Sequence, residues 1–126
     1  MSSRKIRIGN GQGFWGDSLD APVNLSKDGP LDYLTLDYLA EVTLSVMQRQ
    51  KLKNNSLGYA MDFIDLVKRI LPEIQNNNLK VISNAGGVNP QDCRVELEKL
   101  SKNNRKKIKI GVITGDDIYS DLQNFR

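Results

Sequence analysis

The 126-residue chain has no histidine and a single cysteine, Cys93. Without histidine, the usual zinc sites and Ser-His-Asp triads cannot be assembled from this chain alone. A lone cysteine forms no internal disulfide, so nothing points to an oxidising compartment. Aromatic residues make up 6% of the chain. None lies within the short basic run from Lys102 to Lys109, which therefore offers no platform for stacking bases. No apolar run approaches the roughly 18 residues of a membrane-spanning helix. The first residues, Met1 to Lys5, are polar and lack the apolar centre of a signal peptide. These absences lead to the expectation of a cytoplasmic protein with neither a membrane nor a nucleic acid as partner.

What is present is ordinary globular material, with 39% hydrophobic and 26% charged residues. The net charge is +3, much of it from Lys102, Arg105, Lys106, Lys107 and Lys109. That run could meet phosphates, or it could be a solvated turn between a helix and a strand.

Periodicity organises the rest. Lys5 to Gly9, Asp32 to Asp37, Lys80 to Asn84 and Ile108 to Ile113 read as strands. A short helix over Ser18 to Lys27 carries Pro22 near its first turn. A second helix covers Tyr38 to Lys51, and a third covers Tyr59 to Ile74. Pro72 inside the third predicts a kink or a break into a short last turn. A helix from Pro90 to about Lys102 is announced by Asn89 as its cap and Asp92 at its third position.

Strands alternating with helices predict an α/β fold with a mostly parallel sheet of about four strands. Both faces of such a sheet need cover. Only about a dozen residues follow the fourth strand, and the tail from Ile118 to Arg126 supplies at most a turn or two. The expectation is therefore a single unit over residues 1–126 that is part of a larger α/β domain. It would be completed by the rest of that domain, by a partner subunit or by a second copy.

In parallel α/β folds, ligands gather at the carboxyl ends of the strands. The first strand delivers Gly9, Asn10, Gly11, Gly13 and Gly16, the second Asp37 and Glu41, the third Asn84, Gly86 and Gly87, and the fourth Asp116 and Asp117. Glycines, amides and carboxylates at all four ends predict one shared site, although the same residue types populate ordinary turns. Gly11, Gly13 and Gly16 spell G-x-G-x-x-G, and Asp37 follows at about the 20-residue spacing of a ribose-binding acid. Against a dinucleotide stand bulky Phe14 and Trp15, the charge of Asp17, and Pro22 in the following helix. A glycine turn without a ligand, or a cradle for a phosphate or an acyl thioester, fits the same residues.

Asp37 and Glu41, four apart, would share one face of a helix start. They predict an acid/base pair or ligands for a hard ion such as magnesium, with Asp116 or Asp117 opposite. Carboxylates at that place also favour the helix N-terminus without any chemistry. The bend at Asn84, Gly86 and Gly87 could bring backbone N–H groups to a ligand or merely turn the chain. Cys93, in the first turn of its helix, could be activated by the helix dipole or be a small core residue.

Taken in order, a set of strings resembles the acyclic terpene utilisation protein family. They are Arg7 to Asp17, Leu31 to Leu34, Asp37 to Thr43, Leu57-Gly58-Tyr59, Leu71-Pro72, Ser83 to Pro90 and Val112 to Asp117. The likeness runs from about Arg4 to Asp121, and its specificity lies in the combination rather than in any one motif. It implies that the chain corresponds to the N-terminal portion of a longer family member. It also implies a role in breaking down acyclic terpenes by a route through CoA thioesters, with a lyase or hydratase step as the leading reading. A non-catalytic binding or assembly domain and a Rossmann-like nucleotide module are the alternatives.

Overall fold

In the computed structural model, residues 5–105 and 107–125 are described; Met1 to Arg4, Lys106 and Arg126 lie outside them. The polar start, one lysine of the basic run and the last residue of the tail are thus outside the described residues.

The order of elements is β1 (Ile8–Gln12), α1 (Asp20–Asp28), β2 (Tyr33–Leu36), α2 (Glu41–Lys53), α3 (Met61–Arg69), α4 (Leu71–Asn76), β3 (Lys80–Ser83), α5 (Pro90–Asn103) and a 3-10 helix over Tyr119–Phe125. The three strands form one parallel sheet in the order β1-β2-β3. This is the expected α/β alternation. Pro72 stands in the first turn of α4, and the predicted long helix is divided at Ile70. Asn89 caps α5 as its position predicts, its side chain accepting from Asp92 N.

Two expectations change in detail. The first strand begins at Ile8 rather than Lys5 and continues through Gly11 to Gln12. The segment Ile108 to Ile113 carries no strand in the structure, so the sheet has three strands among the described residues rather than about four. Ile108 and Ile110 still pack against the core while Lys109 and Gly111 are exposed, so the alternation is real. Ile108 N, however, donates to Ser101 Oγ of α5 instead of to a neighbouring strand. Alternation reports one-sided burial, and ladder pairing is a separate requirement.

Consecutive strands added in one direction through right-handed crossovers put all the connecting helices on one face. The exposure pattern agrees. Gly9, Gly11, Leu34 and Leu36 are buried, and Leu34 and Leu36 join Phe63, Leu66 and Val67 of α3 in one apolar cluster. On the opposite face the register aligns Ile8, Tyr33 and Lys80 in one row and Asn10, Thr35 and Ile82 in the next. That face lacks cover among the described residues, with Ile8 66% and Ile82 56% exposed. No described helix is long and apolar enough to cross a membrane.

Candidate functional site

A hollow of about 530 Å³ opens at the carboxyl ends of the strands, where the uncovered face meets the loops. Asn10, Thr35, Asp37, Ile82, Ser83 and Asn84 line it, over Leu36. One residue just past each of β2 and β3 dominates it. Asn84 Nδ2 donates to Asp37 Oδ1 at 2.8 Å, and Asn84 Oδ1 accepts from Tyr38 N at 2.8 Å. Asp37 Oδ1 also accepts from Leu39 N at 3.2 Å, and Asp37 N is tied to Gln12 O of β1. The amide of Asn84, followed by the Leu39 N–H, lowers the Asp37 carboxyl below its ordinary range. Asp37 is exposed and ionised at neutral pH, with Oδ2 left open as an acceptor.

Asn10 faces the carbonyls Gln12 O at 3.2 Å and Thr35 O at 3.3 Å. The atom against two carbonyls must be the donor, so Asn10 presents its Nδ2 there and keeps Oδ1 to offer. Thr35 Oγ1 donates back to Gly9 O. Ser83 Oγ accepts from Ala85 N at 3.1 Å and keeps its own hydrogen to give.

The glycine loop works differently from a phosphate cradle. A β-bulge between Asn10 and Gln12 leaves Gly11 as the extra residue. It turns Gln12 into the core, where that residue is 2% exposed and donates to Phe14 O. A Cβ on Gly11 would stand 2.6 Å from Pro22 Cβ, and one on Gly9 would stand 2.8 Å from a Leu31 methyl. These two glycines therefore let β1 lie close to α1 and to the chain that enters β2. Gly16 is needed for its positive φ of 99°. Gly13 has neither constraint: a Cβ there meets nothing within 4 Å. The Asp17 carboxylate takes up the loop's own amides, accepting from Gly13 N at 3.2 Å and from Ser18 N at 2.8 Å. A carboxylate already stands where a pyrophosphate would sit, and α1 begins only at Asp20. Replacing Gly13 with alanine should leave thermal stability within about 0.5 kcal/mol of the parent, read as a melting midpoint.

The bend after β3 is likewise occupied from within. Ala85 N, Gly87 N, Val88 N and Asn89 N donate to Ser83 Oγ, Asn84 O, Gly58 O and Gly86 O respectively. The side chain of Asn84, rather than this run of amides, faces the hollow.

Glu41 is separated from the site by the start of its helix. Ala40 N donates to Thr43 Oγ1, and α2 begins at Glu41, so Asp37 lies in the extended link before it. Four-residue spacing brings side chains together only inside a helix. Asp116 and Asp117 line a second hollow of about 180 Å³ with Gly87, Asn89, Gln91 and Lys51, and neither borders the first. Among the described residues, no group of three or more His, Cys, Asp or Glu side chains is placed to hold a metal ion. Magnesium finds no protein-built cage in these residues. Thr35, Ile82 and Ser83 escape the strand-end argument because they precede the loops; their register beside Asn10 and Asp37 is the signal that would have found them.

Cys93 is buried in α5, and burial pushes its thiol up to about 11. The helix dipole does not win against desolvation. Cys93 should react with an aromatic disulfide reagent about a hundredfold or more slower than a free thiol at pH 8, and at the ordinary rate once the chain is unfolded.

Neither the curated proteins nor the solved structures contain a match to this chain. A family model described as acyclic terpene utilisation family protein AtuA matches residues 6–126, and the chain belongs to that family.

Proposed function

We propose that this chain forms the ligand-holding portion of an enzyme, or enzyme subunit, acting on an intermediate of acyclic terpene breakdown. Its site is the hollow at the ends of β1, β2 and β3. The observation that carries this reading is the clamp between Asp37 after β2 and Asn84 after β3. It fixes an ionised carboxylate at the edge of an open cavity. Family membership supports the terpene route. A lyase or hydratase step on a CoA-thioester intermediate is the reaction class this reading favours, with an uncharged part of the ligand beside Asp37. In it Asp37 accepts a hydrogen bond or a proton from the ligand. A carboxyl whose pKa is lowered stays charged as pH falls through the ordinary carboxylate range, so it serves as an acceptor and not as the acid.

The test is a thermal-shift screen of the chain against CoA thioesters and nucleosides. Asp37→Asn should abolish the ligand-dependent shift and leave the unliganded midpoint nearly unchanged, since Asp37 is exposed. A shift retained in Asp37→Asn removes Asp37 from the site.

A second reading, a binding or assembly domain without chemistry of its own, is favoured by the uncovered sheet face at Ile8 and Ile82. Its discriminator is sedimentation of the purified chain: association abolished by Ile82→Lys supports assembly, and a monomer at all concentrations opposes self-assembly.

A further inference from the structure

The chemistry left open in the hollow points to the kind of group it receives. Resting on the reading of this hollow as the chain's site, we infer that it recognises a vicinal diol, such as an unphosphorylated ribose or a small polyol, and not a phosphate or carboxylate.

The open donors and acceptors of the hollow decide what fits it. Asn84 spends one Nδ2 hydrogen on Asp37 and its Oδ1 on Tyr38 N, which leaves its second Nδ2 hydrogen to give. Thr35 Oγ1 gives its hydrogen to Gly9 O. What remains is Asp37 Oδ2 and Asn10 Oδ1 as acceptors and the Ser83 hydroxyl and the second Asn84 Nδ2 hydrogen as donors. Among the described residues, no lysine or arginine is in the lining. An anion would meet a fixed negative charge with no cation to offset it. An ammonium group would suit Asp37 but has no lone pair for the Ser83 hydrogen, and an exposed ion pair contributes little. Two adjacent hydroxyls each give and accept, and so match two acceptors and two donors together. Beside them, the row of Asn10, Thr35 and Ile82 across the sheet supplies a flat, partly apolar floor for the rest of the ligand.

The experiment is a nuclear magnetic resonance titration of the whole chain, following the amides of Thr35, Asp37, Ser83 and Asn84. The probes are adenosine, methyl riboside, 2′-deoxyadenosine, adenosine 2′-phosphate and acetyl-CoA. Adenosine should move these four amides, 2′-deoxyadenosine should bind about tenfold more weakly, and the 2′-phosphate more weakly still. Asp37→Asn should erase the preference for the diol. Movement by methyl riboside as well as adenosine assigns recognition to the sugar alone. Movement by adenosine only assigns it to the nucleoside, and both support the inference.

Equal binding of the deoxy compound, or tighter binding of the phosphate or acetyl-CoA at the same amides, overturns the diol and keeps the hollow as the site. No movement of these amides with any probe overturns both.

Discussion

Gly87→Ala should cost this chain about 2–4 kcal/mol of stability and lower its melting midpoint by on the order of 10 °C. Gly87 sits at a φ of 53°, in the left-handed region that costs an L side chain about 1–2 kcal/mol. A Cβ there would lie 2.3 Å from Met47 Sδ and 2.7 Å from Gly58 O. The methionine can move aside, being unbranched and flexible. The carbonyl cannot move without cost, because Gly58 O accepts from Val88 N at 2.9 Å and so belongs to the contact that seats the bend. Met47 is itself fully buried, so its displacement disturbs the core. Calorimetric melting of the variant reads the effect. The glycine in this bend therefore serves packing first. A variant with an unchanged midpoint would return it to the role of admitting a ligand.

Leu34→Ala should cost about 2–5 kcal/mol, a large share of the 5–15 kcal/mol that holds a typical domain folded. Leu34 is the middle of the central strand and is fully buried. It shares the one apolar cluster with Phe63, Leu66 and Val67 of α3. Among the described residues the sheet is covered on one face only, so this layer carries most of its apolar burial. Chemical denaturation should show the midpoint falling at a nearly unchanged slope. The half-buried neighbour Thr35 offers a control on the other face: Thr35→Val should change stability far less, because the Thr35 side chain is held by long contacts to Gly9 O and the Asn10 amide, each 3.3 Å.

Much of this was legible from residue order because local and global preferences agree. Leu34 and Leu36 alternate with Tyr33 and Thr35, which marks a half-buried strand, and the structure places it over Tyr33–Leu36. Pro72 and Pro90 mark helix starts by their fixed φ and Asn89 by its side-chain cap, all local signals, and all do so here. The strand-end reading groups Asp37, Asn84 and Asn10, and the structure brings these three together in one hollow.

What was hidden depends on contacts distant in sequence or on exact register. The bulge at Gly11 changes which face Gln12 occupies, and no local pattern announces it. Glu41 looked like a helical neighbour of Asp37 until the bond from Ala40 N to Thr43 Oγ1 started the helix one turn later. The G-x-G-x-x-G spacing is present, yet Asp17 satisfies the loop amides that such a motif would give to a phosphate. Ile108 and Ile110 alternate like a strand, and only the fold shows that they pack without pairing.

The account rests on a charged Asp37 held in place by Asn84. A carbon-detected titration of the Asp37 carboxyl, in the parent and in Asn84→Ala, measures this most directly. The account predicts a midpoint below the ordinary aspartate value of 3.8 in the parent and an upward move when the amide is removed. A parent midpoint at or above that value, unmoved in Asn84→Ala, would contradict it.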